Sequence, residues 1–277
     1  MSRRILPDFI VIGAMKAGTT TLYELLRRHP EIGMSREKET DFFVENKGWR
    51  HGPDWYHRQF APGFRVYGEA SPNYTKAAAF PGVAARMAAV VPEVKLIFIA
   101  RDPVARALSQ YRHAALIGGP VPPPEALEGS SAWEHMIETS SYAAQLEPYL
   151  AEFPSVRLLV LDFGELCSDT ETCLGRVAAH LGVADRWGTA DVENGTASLA
   201  RLPDWLLALR RSRARTALKR VVPPGARRRL KAALASGGAR AVPDVPPALR
   251  ARLAALLAAD AARFRLLTGQ RFADWEV

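Results

Sequence analysis

The sequence predicts an α/β domain, a central parallel β-sheet flanked by helices with a P-loop-like turn after its first strand. Three observations carry this expectation. Short apolar runs recur at Phe9 to Ile12, Lys95 to Ala100 and Val156 to Leu161. Each leads into a stretch with helical spacing of its apolar residues. A small-residue turn, Gly13 to Gly18, separates the first run from the first helix. Runs that are near-continuously apolar, with no alternation, belong to strands buried on both faces, as in parallel sheets covered by helices.

Taken in order, Phe9 to Ile12 is bounded by Pro7 and Gly13 and reads as a buried strand, with a helix over Thr20 to Arg28. Tyr67, between Val66 and Gly68, marks a short further strand leading to "EASPNYT". The run KLIFIA opens into "RDPVARALSQYRH", where Val104, Ala107, Leu108 and Tyr111 lie on one helical face. The proline-rich stretch Gly118 to Gly129 is a loop. An amphipathic helix over Tyr142 to Phe153 precedes the third run, and another follows near Thr170 to Leu181. The alanine- and leucine-rich stretch Pro247 to Leu267 predicts a final core helix, and "GQRFADW" a terminal dock in which Trp275 packs. The expected organisation is one domain over residues 1–277: a core at 8–200, a basic helical lid or appendage at 201–242, and the closing helix and dock at 243–277.

The net charge of +8 is unevenly placed. Residues 201 to 240 hold twelve Lys and Arg against one acid, a local +11 that leaves the rest of the chain at −3. Such a segment suits a lid over an anionic ligand, a surface for an acidic partner, or a solvated Arg-rich helical pair. It lacks interleaved aromatics and any recognised module, so no nucleic-acid partner is expected. Cys167 and Cys173 provide no disulfide framework, and neither they nor the six histidines have metal-ligand spacing. Pro7, Asp8 and Lys16 interrupt the only stretch resembling a signal peptide, and no segment is apolar enough to span a bilayer, so a cytoplasmic location is expected.

The chemistry begins at "GAMKAGTT". A Walker loop places lysine directly after its last glycine, to reach the β and γ phosphates. Here that position is Thr19, and the lysine, Lys16, comes before Gly18. What remains is an anion cradle: N–H groups of a turn and helix start, supplemented by the Lys16 ammonium and the Thr19 and Thr20 hydroxyls, with small Ala17 and Gly18 permitting close approach. The same residues also fit a plain strand–turn–helix with a capping threonine. Arg101 follows the second apolar strand at its carboxyl end, and Ser109 lies eight residues on; together they suit a second phosphate. Alternatively, Arg101 pairs with Asp102 and Ser109 is a surface residue. Two anion sites on neighbouring strand ends call for a nucleotide phosphorylated at two separate places.

The ordered set "KAGTTTL", "RRHPEI", "EKETDFF", "YGEASPNY", "RDPVARALSQY" and "SYAAQLEPYL" resembles the sulfotransferases that use 3′-phosphoadenosine 5′-phosphosulfate (PAPS). The similarity is greatest to the carbohydrate branch containing the heparan sulfate 3-O-sulfotransferases and their bacterial relatives. It runs from about residue 9 to 182 and resumes at "FRLLTGQRFADW". It implies the P-loop-like sulfotransferase fold, PAPS as donor, adenosine 3′,5′-bisphosphate (PAP) as product, and no metal. By this resemblance Lys16, Ala17, Gly18, Thr19, Thr20 and Thr21 hold the 5′-phosphosulfate side, and Lys16 stabilises the leaving phosphate oxygen. Arg101 and Ser109 carry over as ligands of the 3′-phosphate. Anchoring on Phe42 and Phe43 places the general base at Glu39, with Glu37 the alternative.

Two departures stand out. Many relatives have lysine where this chain has Ala70, so the work of that cation falls on Lys16 or on a basic residue from elsewhere. A Lys-Gly-Arg loop of the C-terminal third is also missing, and the basic segment 201 to 240 is the natural replacement. Asp41, Phe42, Trp49, Trp55 and Glu69 are expected around the acceptor, with His51 or His57 a minor alternative base. The expected acceptor is a hydroxyl, or less readily an amine, of a carbohydrate or hydroxylated metabolite. The rival readings are a nucleotide kinase or NTPase, opposed by the missing lysine after Gly18, and a PAPS-binding relative without turnover.

Overall fold

The computed structural model describes residues 4–117, 119, 121–187 and 244–277. The expected basic lid at 201–242 therefore lies outside the described residues. Five strands form one wholly parallel sheet: β1 (Phe9–Gly13), β2 (Ile32–Met34), β3 (Val66–Ala70), β4 (Lys95–Ala100) and β5 (Leu158–Asp162). Their order across the sheet is β2-β3-β1-β4-β5. Register fixes the centre: Phe9 lies opposite Gly68 on one side and Lys95 on the other.

The sheet is buried as its sequence predicts. All five residues of β1 are inaccessible, and so are Leu96 to Ala100 of β4. Helices α1 (Thr19–Leu26), α2 (Gly52–His57), α3 (Val83–Val90), α4 (Pro103–Leu116), α5 (Ser131–Ser140), α6 (Tyr142–Glu152), α7 (Phe163–Ser168), α8 (Thr170–Leu181) and α9 (Pro247–Thr268) complete the described secondary structure, apart from short 3-10 turns. Strand β2 and helices α2, α3, α5 and α7 go beyond the sequence reading. The third expected strand begins two residues late, because Ser155–Arg157 forms a 3-10 turn first.

The described residues fall into two compact units. The first contains the sheet and comprises the chain up to Arg106, the stretch from Ile137, and Arg252 to Val277. Its C-terminal dock forms as expected: Trp275 stacks on Phe272 at 4.2 Å between centroids, and its indole N–H donates to the Asp162 carboxylate at 3.1 Å. Of the described residues, the second unit takes Ala107–Met136 and 244–251. Within it the Tyr111 hydroxyl donates to the Pro122 carbonyl at 2.9 Å, and Arg112 lies 3.9 Å from the Asp244 carboxylate.

The topology itself selects a site. From β1 the chain moves toward β2 and β3, whereas from β4 it moves to β5 on the other flank. The connections leaving the carboxyl ends of β1 and β4 therefore diverge, opening a crevice where ligands of open parallel sheets bind. The two loops at that switch point are Ala14 to Gly18 and Arg101 to Asp102.

Candidate active site

The β1–α1 loop is held from below. The Ala14 N–H donates to the Ile99 carbonyl at 2.9 Å and Ala17 N–H to the Ala14 carbonyl at 3.1 Å. Gly18 sits at φ 91°, in the left-handed region, and an added Cβ would come within 2.8 Å of the Phe163 ring. Both conditions demand glycine. Lys16 is also left-handed, at φ 72°, a conformation that costs a lysine about 1 kcal/mol and that functional loops tolerate. The first bond of α1 runs from Leu22 N–H to the Gly18 carbonyl, so the N–H groups of Thr19, Thr20 and Thr21 have no acceptor within the helix. Thr19 is buried and Thr20 exposed, with Thr21 between these extremes.

Arg101 crosses onto this loop. Its guanidinium donates to the Lys16 carbonyl at 3.2 Å and lies 4.9 Å over the Phe163 ring, the same ring that packs on Gly18. Asp102 is not its ion-pair partner in the helix start. Its carboxylate instead accepts from Ala105 N–H at 2.6 Å and Glu276 N–H at 2.7 Å. A third cation joins them: Arg106, fully buried on α4, donates to Ser140 Oγ at 2.8 Å and to the Met15 carbonyl at 3.4 Å. The consequence appears at Lys16, whose ammonium is pushed down to about 8 by burial, then by the charges of Arg101 and Arg106. Three cations gathered against their mutual repulsion make this end of the sheet electropositive, which suits a polyanion. Ser109 lies two turns into α4, half-buried, in the second unit.

The sequence alone assigns Arg106 no role. On an ideal helix it lies roughly 200° round from Val104, away from the apolar stripe, so periodicity reads it as solvent-facing. The Met15 carbonyl and Ser140, both distant in sequence, are among the groups that hold it buried.

The β2 and β3 ends supply the other half of the edge. Glu39 follows β2, its side chain 49% exposed and paired with Lys38 at 2.7 Å. Asp41, at φ 47°, accepts from the Lys47 ammonium at 2.8 Å and from the Asn73 amide at 2.9 and 3.1 Å. Trp49 and Trp55 are half-buried; Trp55 stands 4.8 Å from His51 between ring centroids.

Two expected acceptor residues sit elsewhere. Phe42 is 2% exposed and stacks flat on Tyr56 at 3.9 Å, so it supports the loop from inside. Glu69 is wholly inaccessible and cannot touch an acceptor from this position. Its carboxylate accepts from Tyr56 at 2.6 Å, Tyr74 at 2.8 Å and Ser71 at 2.9 Å, and also from Thr40. Burial raises its pKa against the opposing pull of these four hydroxyls. His57 is likewise engaged, accepting at Nδ1 from Ile5 N–H at 2.6 Å.

No group of His, Cys, Asp and Glu among the described residues is arranged to hold a metal. A groove lined by Leu6, Pro7, Val66, Val91 and Leu181 lies at the amino ends of the strands. It is the wrong edge for a ligand of a parallel sheet, and the three cations are not part of its lining. No helix among the described residues is long and apolar enough to cross a membrane.

The family model described as the sulfotransferase domain matches residues 6–192. Heparan sulfate glucosamine 3-O-sulfotransferase 3B1 of Mus musculus is 34% identical over 188 residues, 64% of this chain and 46% of that protein. The bifunctional heparan sulfate N-deacetylase/N-sulfotransferase 3 of Homo sapiens is 32% identical over 210 residues, 67% of this chain and 23% of that protein. The chain thus spans about half the length, or less, of these curated relatives. A sulfotransferase from Alicyclobacillus acidocaldarius superposes with a TM-score of 0.68 at 23% identity, covering 99% of this chain and 100% of its own, which shows a shared fold. With the matched family region containing the whole sheet and both loops of the switch point, the chain belongs to the sulfotransferase family.

Proposed function

We propose that the protein transfers a sulfuryl group from PAPS to a hydroxyl of a carbohydrate or other hydroxylated acceptor. The observation that carries this reading is the convergence of Lys16, Arg101 and Arg106 on the switch-point loop, where burial first, and then the charges of Arg101 and Arg106, push the Lys16 ammonium down to about 8. The donor supplies a sulfuryl group on a phosphate that leaves readily. The open N–H groups of Thr19 to Thr21 and the Lys16 ammonium serve the 5′-phosphosulfate, and Arg101 serves the 3′-phosphate. Glu39 takes the acceptor proton as the acceptor oxygen forms its bond to sulfur in line. The sulfur bond to the bridging oxygen breaks, and that oxygen keeps the electron pair beside Lys16.

A carbohydrate acceptor has its support in the heparan sulfate enzymes among the relatives. The half-buried Trp49 and Trp55, on the β2 flank that carries Glu39, suit stacking on a sugar face. The test is incubation with radiolabelled PAPS and a panel of acceptors, heparan sulfate oligosaccharides beside small phenols and alcohols. Label on an oligosaccharide with PAP released in equal amount is expected. PAP binding without label in any acceptor would favour the inactive relative, and phosphoryl transfer from ATP with magnesium would favour the kinase reading.

A further inference from the structure

Lys76 is the residue for which neither the fold nor the assigned site accounts. It follows the 3-10 turn Pro72–Thr75 at the carboxyl end of β3, between the strand ends that carry Glu39 and Lys16. The backbone on either side is pinned. Thr75 Oγ1 donates to the Ile12 carbonyl at 3.2 Å, directly before the phosphate loop, and Ala77 N–H donates to Gln145 Oε1 at 3.0 Å. An added Cβ at Gly13 would strike Thr75 Oγ1 at 2.5 Å, so this turn lies hard against the start of the loop.

The obvious task for a lysine here is to neutralise the neighbouring acids, but both are already served. Asp41 has Lys47 at 2.8 Å and the Asn73 amide, and Glu39 has Lys38 at 2.7 Å. Among the described residues no hydrogen bond or ion pair engages the Lys76 ammonium. The side chain is nevertheless half-buried, and its ammonium is held below the usual lysine range by burial and the charge of Lys47, with a smaller push from Arg106. Asp41 and Glu39 pull the other way without cancelling this. A desolvated cation with no fixed counter-charge is costly unless an anion completes the site.

We infer that Lys76 is a further catalytic residue, whose ammonium contacts the oxygens of the transferring sulfuryl group between the phosphate-loop cations and the Glu39–Asp41 flank. This rests on the proposed sulfuryl transfer and assigns a cation to the β3 end, where Ala70 offers none. As the sulfur exchanges its bond to the phosphate oxygen for one to the acceptor oxygen, the non-bridging oxygens keep their negative charge. A cation fixed beside them lowers the repulsion felt by the incoming oxygen.

The test separates this role from cofactor binding. The protein is saturated with PAP and titrated with inorganic sulfate, which stands in for the sulfuryl group, following heat by calorimetry. The wild type is expected to bind PAP and then sulfate. Lys76→Ala is expected to keep PAP affinity within about twofold and lose about tenfold or more in sulfate affinity, the loss of one charge-assisted contact. Lys76→Arg should recover most of it, and retained PAP binding shows that the variants fold. Equal sulfate affinity in wild type and Lys76→Ala would overturn the inference, as would a wild type that binds PAP with no sulfate site beside it. A wild type that fails to bind PAP would instead overturn the proposed function.

Discussion

The two halves of the sheet edge are built on different principles. At β1 and β4 the site is made of backbone: N–H groups at the start of α1, a left-handed Lys16 and Gly18, and guanidinium groups that donate to the Lys16 and Met15 carbonyls. At β2 and β3 it is made of side chains, the exposed Glu39 and the half-buried Asp41 and Lys76, standing on the sealed node of Glu69, Tyr56, Tyr74, Ser71 and Thr40. The first half is fixed by topology and suits a ligand that never varies. The second can change its surface residues while its buried support stays intact, which is what a variable acceptor requires.

The comparison breaks most visibly in the rates. Glu39→Gln removes only the base and should lower turnover by roughly 10²–10⁴-fold while leaving PAP affinity unchanged, measured by initial rates beside calorimetry. Lys16→Met acts on the donor half and should lower turnover by roughly 10²–10³-fold and weaken PAP binding as well. A Glu39 variant that lost PAP affinity would show that the two halves are not separable.

The pH dependence sharpens the same division. Lys16 in the folded, unliganded protein titrates at about 8, below its ordinary 10.5, and a bound anion restores its proton. PAP affinity should therefore fall as the pH rises above about 8, by up to roughly tenfold per unit, with proton uptake on binding. Without ligand the sign is opposite. The unfolded chain keeps this proton up to about 10.5, so Lys16 contributes rising stability between about 8 and 10.5. Calorimetry in buffers of different ionisation enthalpy checks the proton count.

The buried support should affect folding before chemistry. Phe42→Ala, which empties the place stacked on Tyr56, should cost about 3–5 kcal/mol in denaturant unfolding. Glu69→Ala should cost about 3 kcal/mol by leaving four hydroxyls without their acceptor, whereas Glu69→Gln should cost less, because it keeps an acceptor there. Near-wild-type PAP affinity in any variant that remains folded would support the separation of the halves.

The same division governed what could be read in advance. Strands β1 and β4 were legible because burial on both faces leaves an uninterrupted apolar run, and the loops after them because phosphate-type turns need glycine and small residues at fixed places. Strand β2, only Ile32–Met34, is too short to show any period. Phe42 and Glu69 are expected beside the acceptor because the family resemblance assigns their motifs to that side. Which way a residue turns from a loop is decided by tertiary partners, here Tyr56 for one and four hydroxyls for the other. Arg106 and Lys76 escaped notice for the same reason, since their importance lies in charges that are close in space and distant in sequence.

The central claim is that the switch-point cations form a site for a nucleotide bearing two separate phosphate groups. Calorimetric titration with PAP, beside ATP with magnesium, tests it on the wild type and on Arg101→Ala. The account predicts that PAP binds far more tightly than ATP, and that Arg101→Ala weakens PAP roughly 10- to 100-fold through loss of a charge-assisted contact. Preference for ATP, or PAP affinity indifferent to Arg101, would contradict it.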